Sequence, residues 1–270
     1  MRTAGKRGLN TYVPGAIKLR LADVINRAKL PALPKPPFGH VTNRPPTMVG
    51  TAKPSWGMLG NNAAGDCVVA GACHETMLFA MATGKPVPRF TTASALADYS
   101  RILVATGNKP YNQLDPSTDL GLDAPAAAAY RRDTGLVDAD GNVHKVDAYA
   151  LLDNIEDLYL AIYLFGAAGV GLALPESAET EFEANKIWDD TSSAPMGGHY
   201  VPAMAVNRTG NVVFSTWSDI QGATPDFVTA RWQVGIAYLS KEYMTAKGVS
   251  PEAITWDALQ TDLQQIASNS

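Results

Sequence analysis

The segment Leu59-Gly60-Asn61-Asn62-Ala63-Ala64-Gly65-Asp66-Cys67 carries a cysteine through a glycine-bearing loop to the start of an apolar run. If that run is a helix, Cys67 sits in its first turn, where the positive end of the helix dipole lowers a thiol's pKa and makes a nucleophile. Asp66 falls at the N-cap, where it fixes the helix start while opposing the thiolate with its own charge. An amide just upstream, Asn61 or Asn62, supplies a donor to an oxyanion beside the Cys67 backbone N–H. The competing reading is a small buried cysteine that only packs.

A nucleophilic thiol needs a base, and the chain has four histidines. His74 lies seven residues on from Cys67, about 10 Å along the helix axis, too far to touch it. It is expected to be a hydrogen-bonded helix residue. His40 stands in a proline-rich stretch and His144 opens a strand after Asp138-Ala-Asp-Gly141, and both read as surface residues. His199 differs, because Gly197-Gly198 allow close backbone approach and an apolar strand follows. A histidine at the mouth of a strand projects into a cleft. No metal or cofactor is expected. Cys67, Cys73 and His74 lack zinc-ligand spacing, the Asp115–Asp119 and Asp138–Gly141 runs lack a full calcium loop, and there is no phosphate loop. Cys67 and Cys73, about 9 Å apart in rise on one helix, are expected to stay unbridged.

The elements that must position these groups follow from patterning. Residues 66–84 read as a buried helix, apolar on nearly every side, from Asp66 to Gly84. Helices follow at about 92–106 and 125–135, a strand at 143–152 and a helix at 155–165. A buried strand is expected at 170–174 and a polar helix at 176–185. Two strands, 199–206 and 212–217, are joined by the turn Asn207-Arg-Thr-Gly210. The net charge of −4 is unevenly divided. Residues 1–65 hold ten Lys or Arg against the single acid Asp23, so a +9 segment precedes a −13 remainder. Up to about Ser55 this segment is dense in proline, hence mostly extended, with one short helix at about 19–29. An extended basic arm is expected to lie along the acidic body through charge contacts too exposed to be individually strong.

Asn61, Gly65 and Cys67, with His199 following by 132 residues, occur at the spacings of papain-like cysteine peptidases. The chain resembles that superfamily from about Trp56 to Trp217. The motifs Gly-Asn-x-x-x-Gly-Asp-Cys and Gly-Gly-His are similar to those of a bacterial and phage group within it. The resemblance implies Asn61 as the oxyanion residue, in place of the usual Gln. The family's third residue, an Asn followed by Ser-Trp, corresponds to Ser215 in Ser215-Thr216-Trp217, with Asp219 as a substitute orienting group for His199.

The expected fold class is therefore α+β: a papain-like two-lobe fold with an extended arm at 1–55. A helical lobe at about 56–140 carries the cysteine helix, a β-rich lobe at about 141–240 carries the histidine, and a helical extension covers about 241–270. The expected activity is thiol hydrolysis of a peptide or peptide-like amide, and acyl transfer to an amine uses the same residues. The alternative is a papain-fold binding or structural protein, such as a phage-particle component anchored by its arm. Expected partners are a peptide or protein substrate and an assembly partner for the arm. The acidic body argues against general nucleic-acid binding. With no signal peptide and no span of about 20 apolar residues, a cytoplasmic or virion location is expected.

Overall fold

A computed structural model describes residues 2–25, 32–40, 55–251 and 255. The helices are α1 (Leu21–Val24), α2 (Cys67–Ala82), α3 (Thr92–Ala105), α4 (Ala124–Asp133), α5 (Ile155–Phe165), α6 (Ser177–Glu183) and α7 (Pro225–Arg231). The strands are β1 (Phe38–Gly39), β2 (Leu136–Val137), β3 (Val143–His144), β4 (Ala148–Leu152), β5 (Ala168–Pro175), β6 (Pro195–Val206), β7 (Val212–Thr216), β8 (Asp219–Ala223) and β9 (Trp232–Leu239). The main sheet runs β4-β9-β5-β6-β7-β8, with β1 added to β6, and every pairing is antiparallel. β2 and β3 form a separate ribbon.

The cysteine helix is buried on all sides, from Cys67 through Ala80. Its end is set by Gly84, whose φ of 69° turns the chain away. α2 packs against β6 at close range, because Gly71 faces the Tyr200 ring where a side chain would not fit. That approach brings the start of α2 to the start of β6. The expected strand at 143–152 is two strands, because the chain bends at 145–147, where Asp147 N–H donates to Leu239 O and its carboxylate accepts from Lys241 N–H. The expected arm helix is α1 alone within the described residues, and 26–31 lie outside them. The described part of the expected C-terminal helical extension holds a 3-10 turn, Lys241–Tyr243; residues 256–270 lie outside the described residues. No described helix is long and apolar enough to cross a membrane.

The arm lies on the body. Arg2 pairs with Asp219 at 3.2 Å, Lys6 with Asp119 at 3.2 Å, Arg7 with Glu179 at 2.9 Å and Arg20 with Asp153 at 3.2 Å. In each pair at least one side chain keeps substantial solvent contact, so each contributes little alone. The Arg2 guanidinium also stacks 4.1 Å above the Phe182 ring.

Candidate active site

Cys67 is the first residue of α2 and both cysteines are free and buried. Its sulfur accepts from the Tyr200 backbone N–H at 3.4 Å. His199, one residue earlier on β6, is 1% exposed and lines the same cavity as Cys67 and Asn61. The structure therefore brings Cys67, His199 and Asn61 together. The Asn61 amide donates to Ala64 O at 3.2 Å, holding its own loop. Asp66 occupies the N-cap position but makes no capping hydrogen bond, contrary to its expected role. Its carboxyl oxygens are buried without partners, and burial holds its pKa well above the usual carboxylate range.

The third position differs from expectation. His199 Nε2 lies 2.7 Å from Thr216 Oγ1. Ser215 instead sits 3.0 Å from His74 Nδ1, while His74 Nε2–H donates to Gly57 O at 3.0 Å. The pleat explains this. Ala203 pairs with Phe214, so counting along both strands places Thr216 on the His199 face and Ser215 on the Tyr200 face, toward α2. Asp219 is directed to Arg2 and does not orient the histidine. Between them, Trp217 and Ser218 form a two-residue hairpin with φ of 46° and 66°, closed by the Thr216–Asp219 pair. A bulky residue in left-handed geometry costs about 1–2 kcal/mol. Here it lays the indole on the His199 ring, centroids 4.7 Å apart and planes 29° apart.

The other histidines are less exposed than expected. His40 Nε2 approaches Tyr243 Oη at 2.5 Å, and His144 bridges Glu242 at 2.7 Å and Asp138 at 3.3 Å.

The arm's main chain crosses directly over the pair. Lys6 N–H donates to Asn61 O (2.5 Å), Leu9 N–H to Gly198 O (3.1 Å), Leu122 N–H to Gly8 O (2.8 Å) and Asn10 N–H to Leu122 O (2.9 Å). Leu9 thereby bridges Leu122 in parallel and Gly198 in antiparallel sense. Glycine is required at residue 8, since any side chain there would run into the Gly65 carbonyl. Leu9 fills the space left by Gly171 and Gly198. The free volume beside Cys67 and His199 is then about 10 Å³, at the lower limit for one water.

Burial reverses the expected thiol activation. Burial pushes the Cys67 thiol up to about 12, against the opposing effect of the Tyr200 and Gly8 backbone N–H groups. Burial, with Arg7 nearby, lowers His199 to about 3. In this arrangement the pair is neutral thiol and neutral imidazole. The sequence reading missed Thr216, Tyr200 and the arm's path. Gly5 and Gly8 are the signal for the last, both pressed against the site, at Trp217 and Gly65.

Several solved structures share the architecture. Xylellain, a cysteine protease from Xylella fastidiosa, aligns with a TM-score of 0.58 over 89% of this chain and 98% of its own, at 10% identity. Procathepsin B S9 from Trypanosoma congolense aligns at 0.57 over 88% and 86%, with 10% identity. Procathepsin L 3 from the larval midgut of Tenebrio molitor aligns at 0.54 over 88% and 76%, with 14% identity. No family profile matches the sequence, and no curated protein does. The likeness is one of architecture: the chain has the α+β fold of the papain-like cysteine proteases.

Proposed function

We propose that the chain is a cysteine peptidase-type hydrolase whose cleft is occupied by its own arm. The observation that carries this reading is the arm itself. An extended backbone segment lies across Cys67 and His199, bonded through main-chain groups of Leu122 and Gly198. Groups that hold one extended peptide by its backbone can hold another, with side-chain pockets adding selectivity. With the arm displaced, His199 takes the Cys67 proton and the thiolate attacks an amide carbonyl. The Cys67 N–H, orphaned at the helix start, and the Asn61 amide receive the oxyanion. His199 returns the proton to the leaving amine, and water releases the acyl group. Two of the similar structures are procathepsins, which accords with a covered cleft. Against the reading of the arm as an anchor for a phage particle, Arg2, Lys6, Arg7 and Arg20 are spent on the chain's own carboxylates.

The test is iodoacetamide alkylation of Cys67 near neutral pH, with hydrolysis of a fluorogenic peptide mixture, in wild type and in a Lys6→Glu/Arg7→Glu variant. Reversing two exposed pairs is expected to open the arm and raise both rates about threefold to thirtyfold. If Cys67 of the opened variant reacts no faster than free cysteine and no peptide is cut, the protein is a binding or structural member of this fold.

A further inference from the structure

We propose that Thr216 is the positioning residue that fixes the His199 imidazole, in the role the resemblance assigns to an amide at position 215. This rests on the hydrolase reading of Cys67 and His199. The argument begins with hydrogen-bond accounting at a buried ring. His199 has two nitrogens and is 1% exposed. Nε2 has Thr216 Oγ1 at 2.7 Å, and Nδ1 has no partner among the described residues. A neutral imidazole carries one proton. On Nε2 it is donated to Thr216 and leaves Nδ1 a bare acceptor; on Nδ1 it is a buried donor with nothing to receive it, and the Thr216 hydroxyl then donates to Nε2. Thr216 holds the ring edge in either tautomer, and the form that can act as a base toward Cys67 is the Nε2–H one. It leaves the Nδ1 lone pair free in the cavity that Cys67 shares.

Three further features support the role. Thr216 is itself 3% exposed, so water does not compete for its hydroxyl. The stacked Trp217 indole restrains the ring from its face, while Thr216 restrains it from its edge. The Trp217–Ser218 turn, in left-handed geometry at both residues, ends the strand immediately after Thr216 and delivers both restraints together. In the reaction the S–H bond of Cys67 breaks and the proton moves to Nδ1. The imidazolium then holds Thr216 through Nε2–H and gives the Nδ1 proton to the leaving amine. Thr216 keeps its own proton throughout. A neutral hydroxyl stabilises the imidazolium less than a carboxylate does, so the role is chiefly orientation.

The experiment uses the full chain with 15N-labelled histidine imidazoles, the His199 signals being assigned by their loss in His199→Gln. Wild type and Thr216→Ser should show the Nε2–H tautomer at His199, and Thr216→Val a mixture or the other tautomer. In parallel, the pH profile of Cys67 alkylation is measured in all four proteins. Thr216→Val should lower the His199-dependent rate about tenfold and move the profile, with Thr216→Ser within about threefold of wild type. An Nδ1–H tautomer in wild type, or a His199-dependent profile that Thr216→Val leaves unmoved, overturns the proposal for Thr216 alone. A wild-type profile indifferent to His199→Gln overturns the hydrolase reading itself, whatever the tautomer.

Discussion

Two buried polar regions join α2 to β6, and they are built on opposite terms. At the start of the helix, Cys67 and His199 face a cavity where His199 Nδ1 and Trp217 Nε1 lack partners among the described residues. Two turns farther along, Glu75 and Arg131 form an ion pair at 2.5 Å, with both side chains buried. Tyr200 Oη donates to Glu75 at 3.3 Å and meets Tyr238 Oη at 3.1 Å, and Arg131 stacks 4.2 Å over the Tyr238 ring. Tyr200 belongs to both regions, with its N–H on the Cys67 sulfur and its hydroxyl on Glu75. The paired region locks helix to strand. The unpaired one keeps lone pairs and protons uncommitted, as chemistry requires, and relies on the paired one to hold it in place.

Breaking each region in turn separates these roles most widely. Glu75→Ala leaves the Arg131 guanidinium buried without its charge partner, and should cost about 3–5 kcal/mol in denaturant unfolding. Glu75→Leu with Arg131→Met should recover most of that loss, since it removes both charges together. Cys67→Ser, a near-isosteric change in the unpaired region, should alter stability by less than about 1 kcal/mol while abolishing alkylation at this position. Equal stability losses in the two regions would contradict the division of labour.

The legibility of these regions in the sequence was just as uneven. The apolar run after Cys67 and the Gly-Gly before His199 are local signals, and both led to the right places on α2 and β6. The α5 and β5 elements were equally plain, being continuous apolar runs separated by Gly166. β8, α7 and β9 were not read, because the turn before β8 uses Trp217 and Ser218 where a hairpin usually advertises glycine or asparagine. The choice between Ser215 and Thr216 depends on pleat parity between β6 and β7, and register is invisible without the partner strand. The arm's charge was legible but its path was not, since main-chain hydrogen bonds leave almost no trace in side-chain type. The thiol's raised pKa follows from its burial, which outweighs the N–H groups of Tyr200, Gly8 and Val68.

The unpaired region should also be the one that responds to acid through the arm. His199 sits at about 3 under the cover, below the ordinary 6.5, because burial and Arg7 disfavour its protonated form. A depressed histidine contributes fully to the closed state above pH 6.5, and that contribution is lost as pH falls below it. Between pH 6.5 and 5 the uncovered ring takes up a proton that the covered ring refuses. Arm opening should rise by at most about tenfold per pH unit in that window. Hydrogen exchange at the Lys6, Leu9 and Asn10 amides, normalised to intrinsic rates, reads it directly. His199→Gln should remove the dependence. Unchanged protection from pH 7 to 5 in wild type would mean that opening the arm leaves His199 as buried as before.

The smallest effect is expected where a histidine is fully paired. Burial works against the protonated form of His144, yet Glu242 and Asp138 together raise its pKa above 6.5. The raised value makes its contribution complete below pH 6.5 and lost as pH climbs through the higher folded-state value, the reverse of His199. Asp138 is meanwhile committed to Asn142 and to the Asp140 and Asn142 N–H groups, which hold the β2–β3 turn whatever the charge of His144. His144→Gln should therefore lower stability modestly at pH 6, and less at pH 8.5, in paired denaturant titrations. A loss that grows with pH would show that neutral His144 is the form the ribbon holds. The carboxylates of Glu242 and Asp138 would then be working against its fold, and pairing would no longer distinguish this histidine from the one beneath the arm.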